Sequence, residues 1–141
     1  MPTLARASYG ILAMIVVMVA LVACGGASEP DYASDIAENI LTAINDDNHG
    51  QYSEFFTAEM KDKMPEKVVR EINSVIKLEI GAYESKEFWK TENAGLYTSV
   101  FYKARFTKEP DDVIVKVVFQ KIEGKVYVAG LWLDSPKLRG G

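Results

Sequence analysis

The chain has 141 residues, 48% hydrophobic and 26% charged, which is room for one domain with an ordinary core. All 20 acidic residues and 15 of the 16 basic ones follow the single cysteine, Cys24, so the part beyond it carries a net charge of −5. That mild acidity gives no general attraction to nucleic acid or anionic lipid, and one cysteine excludes an internal disulfide and a multi-cysteine zinc site.

The chain opens on "MPTLARASYG", with Arg6 and no acid, followed by the apolar run "ILAMIVVMVALVA" over 11–23. A positive start, an apolar run and small residues form the signal-peptide pattern. Thirteen helical residues cover about 20 Å, short of the roughly 30 Å hydrocarbon core. The rival reading is an uncleaved transmembrane anchor, because residues 7–27 carry no charge. Against it, Gly25, Gly26 and Ala27 are poor interface anchors. "LVAC" (21–24) resembles the lipobox of bacterial and archaeal lipoproteins. That resemblance implies cleavage between Ala23 and Cys24 and a diacylglyceryl group on the Cys24 thiol. The thiolate is the nucleophile for such a step. Either reading leaves Arg6 inside and residues 25–141 outside, an extracytoplasmic, membrane-anchored placement.

Residues 24–30 ("CGGASEP") form a lipidated cysteine and a short tether. Ala33, Ile36, Ala37, Ile40, Leu41 and Ile44 predict a helix over about 31–46 with Ser28 near its N-cap, ended by a left-handed Gly50. "QYSEFFTAEMKDKM" predicts a short second helix anchored by Tyr52, Phe55 and Phe56. A third helix starts at Pro65, carries Val68, Val69, Ile72, Val75, Ile76 and Leu78 or Ile80 as its stripe, and ends at Gly81. The period then changes to two. Strands are predicted over 83–89, 96–107, 113–122 and 125–134, the last pair joined by a two-residue "EG" turn. "SPKLRGG" reads as a departing tail, with the domain itself at 31–138 and residues 139–141 beyond it.

Three helices followed by a four-stranded antiparallel meander mean an α+β fold, and the sheet is expected to curl around the third helix. On strand two Leu96, Val100, Tyr102, Ala104 and Phe106 share the core side; on strand three Val113, Val115, Val117 and Phe119 do. The opposite side carries Tyr97, Phe101, Lys103, Arg105, Ile114, Lys116, Val118 and Gln120, half apolar and partly basic. It reads either as a solvated face or as an interface for a second copy or an envelope protein. Gly130 within the last strand predicts a bulge or bend.

"AYESKEFW", "YTSVFYKARF" and "GLWLDSPKL" resemble small prokaryotic lipoproteins with an NTF2-like domain of unknown function. The resemblance covers about 31–138 and implies an NTF2-like/cystatin-like cone. Some NTF2-like proteins bind an apolar ligand in the cone and use an Asp and a Tyr for acid/base chemistry. The resemblance makes Tyr83, Trp89, Tyr102 and Trp132, with Asp134, the candidate pocket residues.

Specific chemistry is hard to find in the residues themselves. His49, the one histidine, stands in "DDNHG", which lacks the convergent ligands of a zinc site and the spacing of a calcium loop. No G-x-S-x-G turn and no phosphate loop occur. The expectation is therefore a non-catalytic, membrane-anchored binding protein without metal, cofactor or nucleic acid. The alternatives are an apolar-ligand carrier or sensor and, behind it, an NTF2-like acid/base enzyme.

Overall fold

A computed structural model describes residues 28–140; the signal-peptide and Cys24 assignments fall outside these residues. Helices α1 (Ala33–Asp46), α2 (His49–Tyr52), α3 (Ala58–Lys63) and α4 (Glu66–Ile80) precede strands β1 (Tyr83–Ala94), β2 (Tyr97–Phe106), β3 (Glu109–Ile122) and β4 (Lys125–Asp134). The strands form one antiparallel sheet in the order β1-β2-β3-β4. The α+β arrangement is as the sequence pattern indicates, with four helical segments rather than three.

The helix that fills the inner face of the sheet is the first, not the third. Ala33, Ile36, Ala37, Ile40, Leu41, Ala43 and Ile44 of α1 are all buried, whereas α4 buries Val69, Asn73, Ile76 and Ile80 and leaves Ile72, Val75 and Leu78 exposed. The reason is side-chain size: three alanines in the α1 stripe let its backbone approach the sheet closely. Val100, Tyr102, Ala104 and Phe106 of β2 and Val113, Val115, Val117 and Phe119 of β3 complete this core.

Polar contacts then fix α1 along β1. The Asn45 side chain accepts from the Tyr83 N–H and donates to the Tyr83 carbonyl, both at 2.9 Å. The Tyr83 hydroxyl donates to Glu38 at 2.6 Å, and Lys86 reaches Ser34 at 3.0 Å and Glu38 at 3.3 Å. Nearer the N-terminus, the Tyr102 hydroxyl donates to Glu29 at 2.6 Å, and Thr91 donates to the Ser28 carbonyl at 3.1 Å.

Several boundaries move for local reasons. The left-handed residue ending α1 is Asp47 (φ 53), whose N–H returns to the Ala43 carbonyl; Gly50 lies inside α2, and Tyr32 rather than Ser28 precedes α1. Thr57 caps α3 by accepting from the Met60 N–H at 3.1 Å. Residues 90–94, which lie between the first two predicted strands, continue β1, so the β1–β2 loop contracts to Gly95 and Leu96. Leu96 is therefore exposed at 77% instead of lying on the core side. The "EG" loop is as expected, with Glu123 (φ 51) and Gly124 (φ 80) both left-handed, the conformation a two-residue type I′ hairpin requires. A register shift leaves Ala129 bulged beside Gly130.

The C-terminal segment does not depart. Leu138 packs against the core, Ser135 is buried, and the Lys137 N–H donates to Glu109 at 3.1 Å. Desolvation pushes the Glu109 pKa up. The Ser135 hydroxyl, the Lys137 and Asp111 N–H groups and the Lys137 charge outweigh it and hold the carboxyl below its ordinary value of 4.5. A depressed carboxylate stabilises the fold fully above that ordinary value and loses its contribution as pH falls through the depressed one. Thermal melts of Glu109→Gln between about pH 6 and pH 3 should accordingly show a shallower acid decline than wild type. Identical acid limbs would show that Glu109 does not anchor the tail electrostatically.

Candidate functional site

The outer face of the sheet holds the molecule's most unusual surface. Alternation along β2 and β3 places Tyr97, Phe101, Lys103 and Arg105 beside Ile114, Lys116 and Val118, with Phe101 opposite Lys116 and Lys103 opposite Ile114. Bulges in the flanking strands add two more aromatics. On β1, register shifts between Tyr83 and Ser85 and between Phe88 and Lys90 reset the parity of the strand. Phe88 packs against the core, whereas Trp89 turns outward and is 44% exposed. On β4, Trp132 sits opposite Lys116 and is 56% exposed.

These side chains interlock. The Trp89 and Phe101 rings meet edge to face, with centroids 6.0 Å apart. Lys90 lies 4.6 Å from the Trp89 centroid and 4.7 Å from that of Phe101, and Lys103 lies 5.0 Å from Trp89. Lys116 bridges Phe101 at 5.6 Å and Trp132 at 5.0 Å. Each such contact contributes about 0.5–1 kcal/mol at an exposed site, enough to hold ring and ammonium in register. Lys90 pairs with Glu92 at 3.3 Å and Arg105 with Asp112 at 3.3 Å. Among the described residues, Lys103 and Lys116 have no carboxylate within salt-bridge range.

Gly130 positions Trp132. A Cβ there would stand 2.5 and 2.7 Å from indole carbons of Trp132, so only glycine lets the ring lie across the strand. Beyond the ring, a groove of about 560 Å³ runs between the outer face and α3, lined by Tyr97, Val118, Trp132, Thr57, Met60 and Lys63.

The four residues expected to line a cone pocket are not brought together. Tyr83 (7% exposed) and Tyr102 (1%) lie in the core, Trp89 and Trp132 on the outer face, and Asp134 pairs with Arg139 at 2.6 Å. Strand parity explains the separation: the β1 bulge between Tyr83 and Ser85 puts Trp89 on the opposite side from Tyr83. Burial, then the hydrogen bonds to Glu38 and Glu29, raise the pKa values of Tyr83 and Tyr102 well above the ordinary 10. Both phenols thus stay protonated and donate to carboxylates as ties between chain segments.

His49 contributes little. Its Nδ1 and the Asn73 Oδ1 are buried without hydrogen-bond partners at a void of about 10 Å³ that Asp47, Glu66 and Arg70 also line. That volume admits about one water and no organic ligand. No group of three or more His, Cys, Asp or Glu side chains that could hold a metal occurs among the described residues. A second groove, about 380 Å³ and largely apolar, runs between α4 and β4 and is lined by Ile72, Val75, Ile76, Leu131, Leu133 and Leu138. No helix among the described residues is long and apolar enough to cross a membrane.

Together these features define a small α+β domain with a packed inner sheet face and an exposed aromatic and lysine-bearing outer one. By sequence the chain belongs to the family described as Protein of unknown function (DUF3887), which matches residues 37–126. No curated protein matches it.

Proposed function

We propose that the chain is an extracytoplasmic lipoprotein, anchored through Cys24, whose single NTF2-like/cystatin-like α+β domain is a non-catalytic binding module. Its working surface is the outer sheet face, carrying the interface residues Tyr97, Phe101, Lys103, Arg105, Ile114 and Val118. The observation that carries this reading is the contrast between the two sides of the sheet. The inner side is filled by α1, with Tyr83 and Tyr102 buried; the outer side exposes Trp89 and Trp132 interleaved with lysines. A contiguous exposed aromatic patch marks an interaction surface more often than a solvated face.

The anchor part rests on the apolar run, the small residues and the position of Cys24 at its end. Mass spectrometry of the chain extracted from membranes should show a polypeptide starting at Cys24 and carrying acyl chains. An unmodified Cys24 with residues 1–23 still attached would sink the lipoprotein reading. The apolar groove between α4 and β4 supports a second reading, an apolar-ligand carrier. A native mass spectrum of the same preparation tests it, because a carrier should retain a small apolar molecule at stoichiometric occupancy.

A further inference from the structure

We propose that the partner of the outer sheet face is the lipid surface in which the chain is anchored. The face lies on the bilayer with its tryptophans at headgroup level and Lys90, Lys103 and Lys116 directed to lipid phosphates. This inference rests on the membrane-anchored reading above.

The first argument is reach. Three residues separate Cys24 from Ser28, and even fully extended the four steps span only about 14 Å. Ser28 is not loose: its carbonyl accepts from Thr91 of β1, and the next residue, Glu29, accepts from Tyr102 of β2. Because β1 is an edge strand, the chain meets the sheet at its open edge, on the inner side that Thr91 shares with buried Val100 and Tyr102, and reaches the outer face by rounding that edge beside Trp89. The lattice from Trp89 on β1 to Trp132 on β4 crosses three strand spacings, about 14 Å. A tether of that length holds the β1 edge at the bilayer surface, and rotation about that edge lays the outer face on the headgroups.

The second argument is chemistry. Tryptophan and tyrosine prefer the membrane–water interface, where an apolar ring and a polar N–H or O–H are both satisfied. Lysines held against rings still present N–H donors for phosphate oxygens, three each on Lys103 and Lys116, while Lys90 shares its ammonium with Glu92. The net charge of the domain argues for repulsion from anionic lipid, but charges act over a Debye length of about 8 Å. At this face an anionic headgroup meets Lys90, Lys103, Lys116 and Arg105 together with Glu87, opposite Lys103 in the register, Glu92 and Asp134; Lys103 and Lys116 are the two of the three lysines without a carboxylate in salt-bridge range among the described residues.

The chain's two tryptophans are Trp89 and Trp132, so intrinsic fluorescence reads this face and no other. The test uses the full chain reconstituted through its own anchor into phosphatidylcholine vesicles with and without phosphatidylglycerol. A headgroup-level spin-labelled lipid and aqueous acrylamide serve as opposing quenchers. With phosphatidylglycerol, the emission should shift to the blue, the lipid label should quench it and acrylamide should not. Replacing the three lysines together (Lys90→Gln, Lys103→Gln, Lys116→Gln) should move the docked-to-undocked ratio roughly 100-fold toward undocked, the worth of three lysines at an anionic surface. High salt should do the same to the unmodified chain, which covers the case of a variant that fails to fold. Tryptophans open to acrylamide in a chain that stays on the vesicles would overturn the docking and leave the anchor standing. Protection from acrylamide without quenching by the lipid label would overturn it in favour of a second copy of the chain. A chain that washes off the vesicles would overturn both this inference and the anchored reading.

Discussion

Replacing Phe56 with alanine is expected to destabilise the domain by about 4 kcal/mol, the range for emptying a buried aromatic site. Phe56 is 1% exposed and packs edge to face on Tyr52, with ring centroids 5.3 Å apart. Its backbone neighbours matter as much. The Thr57 N–H donates to the Val128 carbonyl at 3.0 Å and the Val128 N–H donates to the Phe55 carbonyl at 2.6 Å. Residues 55–57 thus run beside β4 where the Ala129 bulge interrupts its pairing with β3, covering an edge that would otherwise offer unpaired backbone to another chain. Because Thr57 also caps α3, losing the Phe56 ring should loosen α3 and the groove it shares with Trp132. Denaturant unfolding followed by circular dichroism measures the stability loss. A change below about 1 kcal/mol would mean that the site collapses around the missing ring and that Phe56 does not hold this edge.

Regions where side-chain alternation runs unbroken were legible in the sequence. From Tyr97 to Ala104 and from Val113 to Val118 the strands carry no bulge, so inward and outward residues fall where a period of two puts them. Leu96 broke that pattern because it occupies a two-residue loop, whose start the hydrophobic alternation does not mark. The helices were legible as helices but not in their depth. An apolar stripe says which side of α4 is greasy; it does not say that α1, with alanines at 33, 37 and 43, can approach the sheet more closely.

The candidate site was half legible for the same reason. Phe101, Lys103, Ile114 and Val118 share a face by parity alone, whereas Trp89 joins them through bulges that no residue in "YESKEFW" announces. A lone Gly130 was the one usable signal near Trp132. It indicated a departure from regular pairing, though not that an indole would lie across it. The buried Asn73 was invisible for a different reason, since a single polar residue in an apolar helix face does not distinguish burial from exposure.

Gly81→Ala should cost about 3 kcal/mol, strain and overpacking together, and Gly124→Ala supplies the comparison for a positive φ with open space around it. Gly81 has φ 82 and ψ −149, a region that essentially only glycine occupies. A Cβ there would collide with the Thr107 hydroxyl and stand 3.0 Å from the Lys108 backbone nitrogen. That closeness is required, because the Thr107 and Lys108 N–H groups donate to the Ala82 and Ile80 carbonyls, each at 2.9 Å. The Thr107 hydroxyl accepts from the Ala82 N–H at 2.9 Å as well. The end of α4 is thereby clamped to the β2–β3 turn. Gly124 also has a positive φ, 80, but nothing lies within 4 Å of its would-be Cβ, so alanine there should cost only about 1–2 kcal/mol, the penalty for the left-handed conformation. Equal losses at the two positions would mean that backbone strain alone acts and that the clamp tolerates a methyl group. A larger loss at Gly81 is the expected result, because that position adds a glycine-only backbone region and a collision with the β2–β3 turn to the positive φ that both share. The clamp bears on function, because α4 carries one wall of the apolar groove, and loosening its end should alter that groove without disturbing the aromatic face on the other side of the sheet.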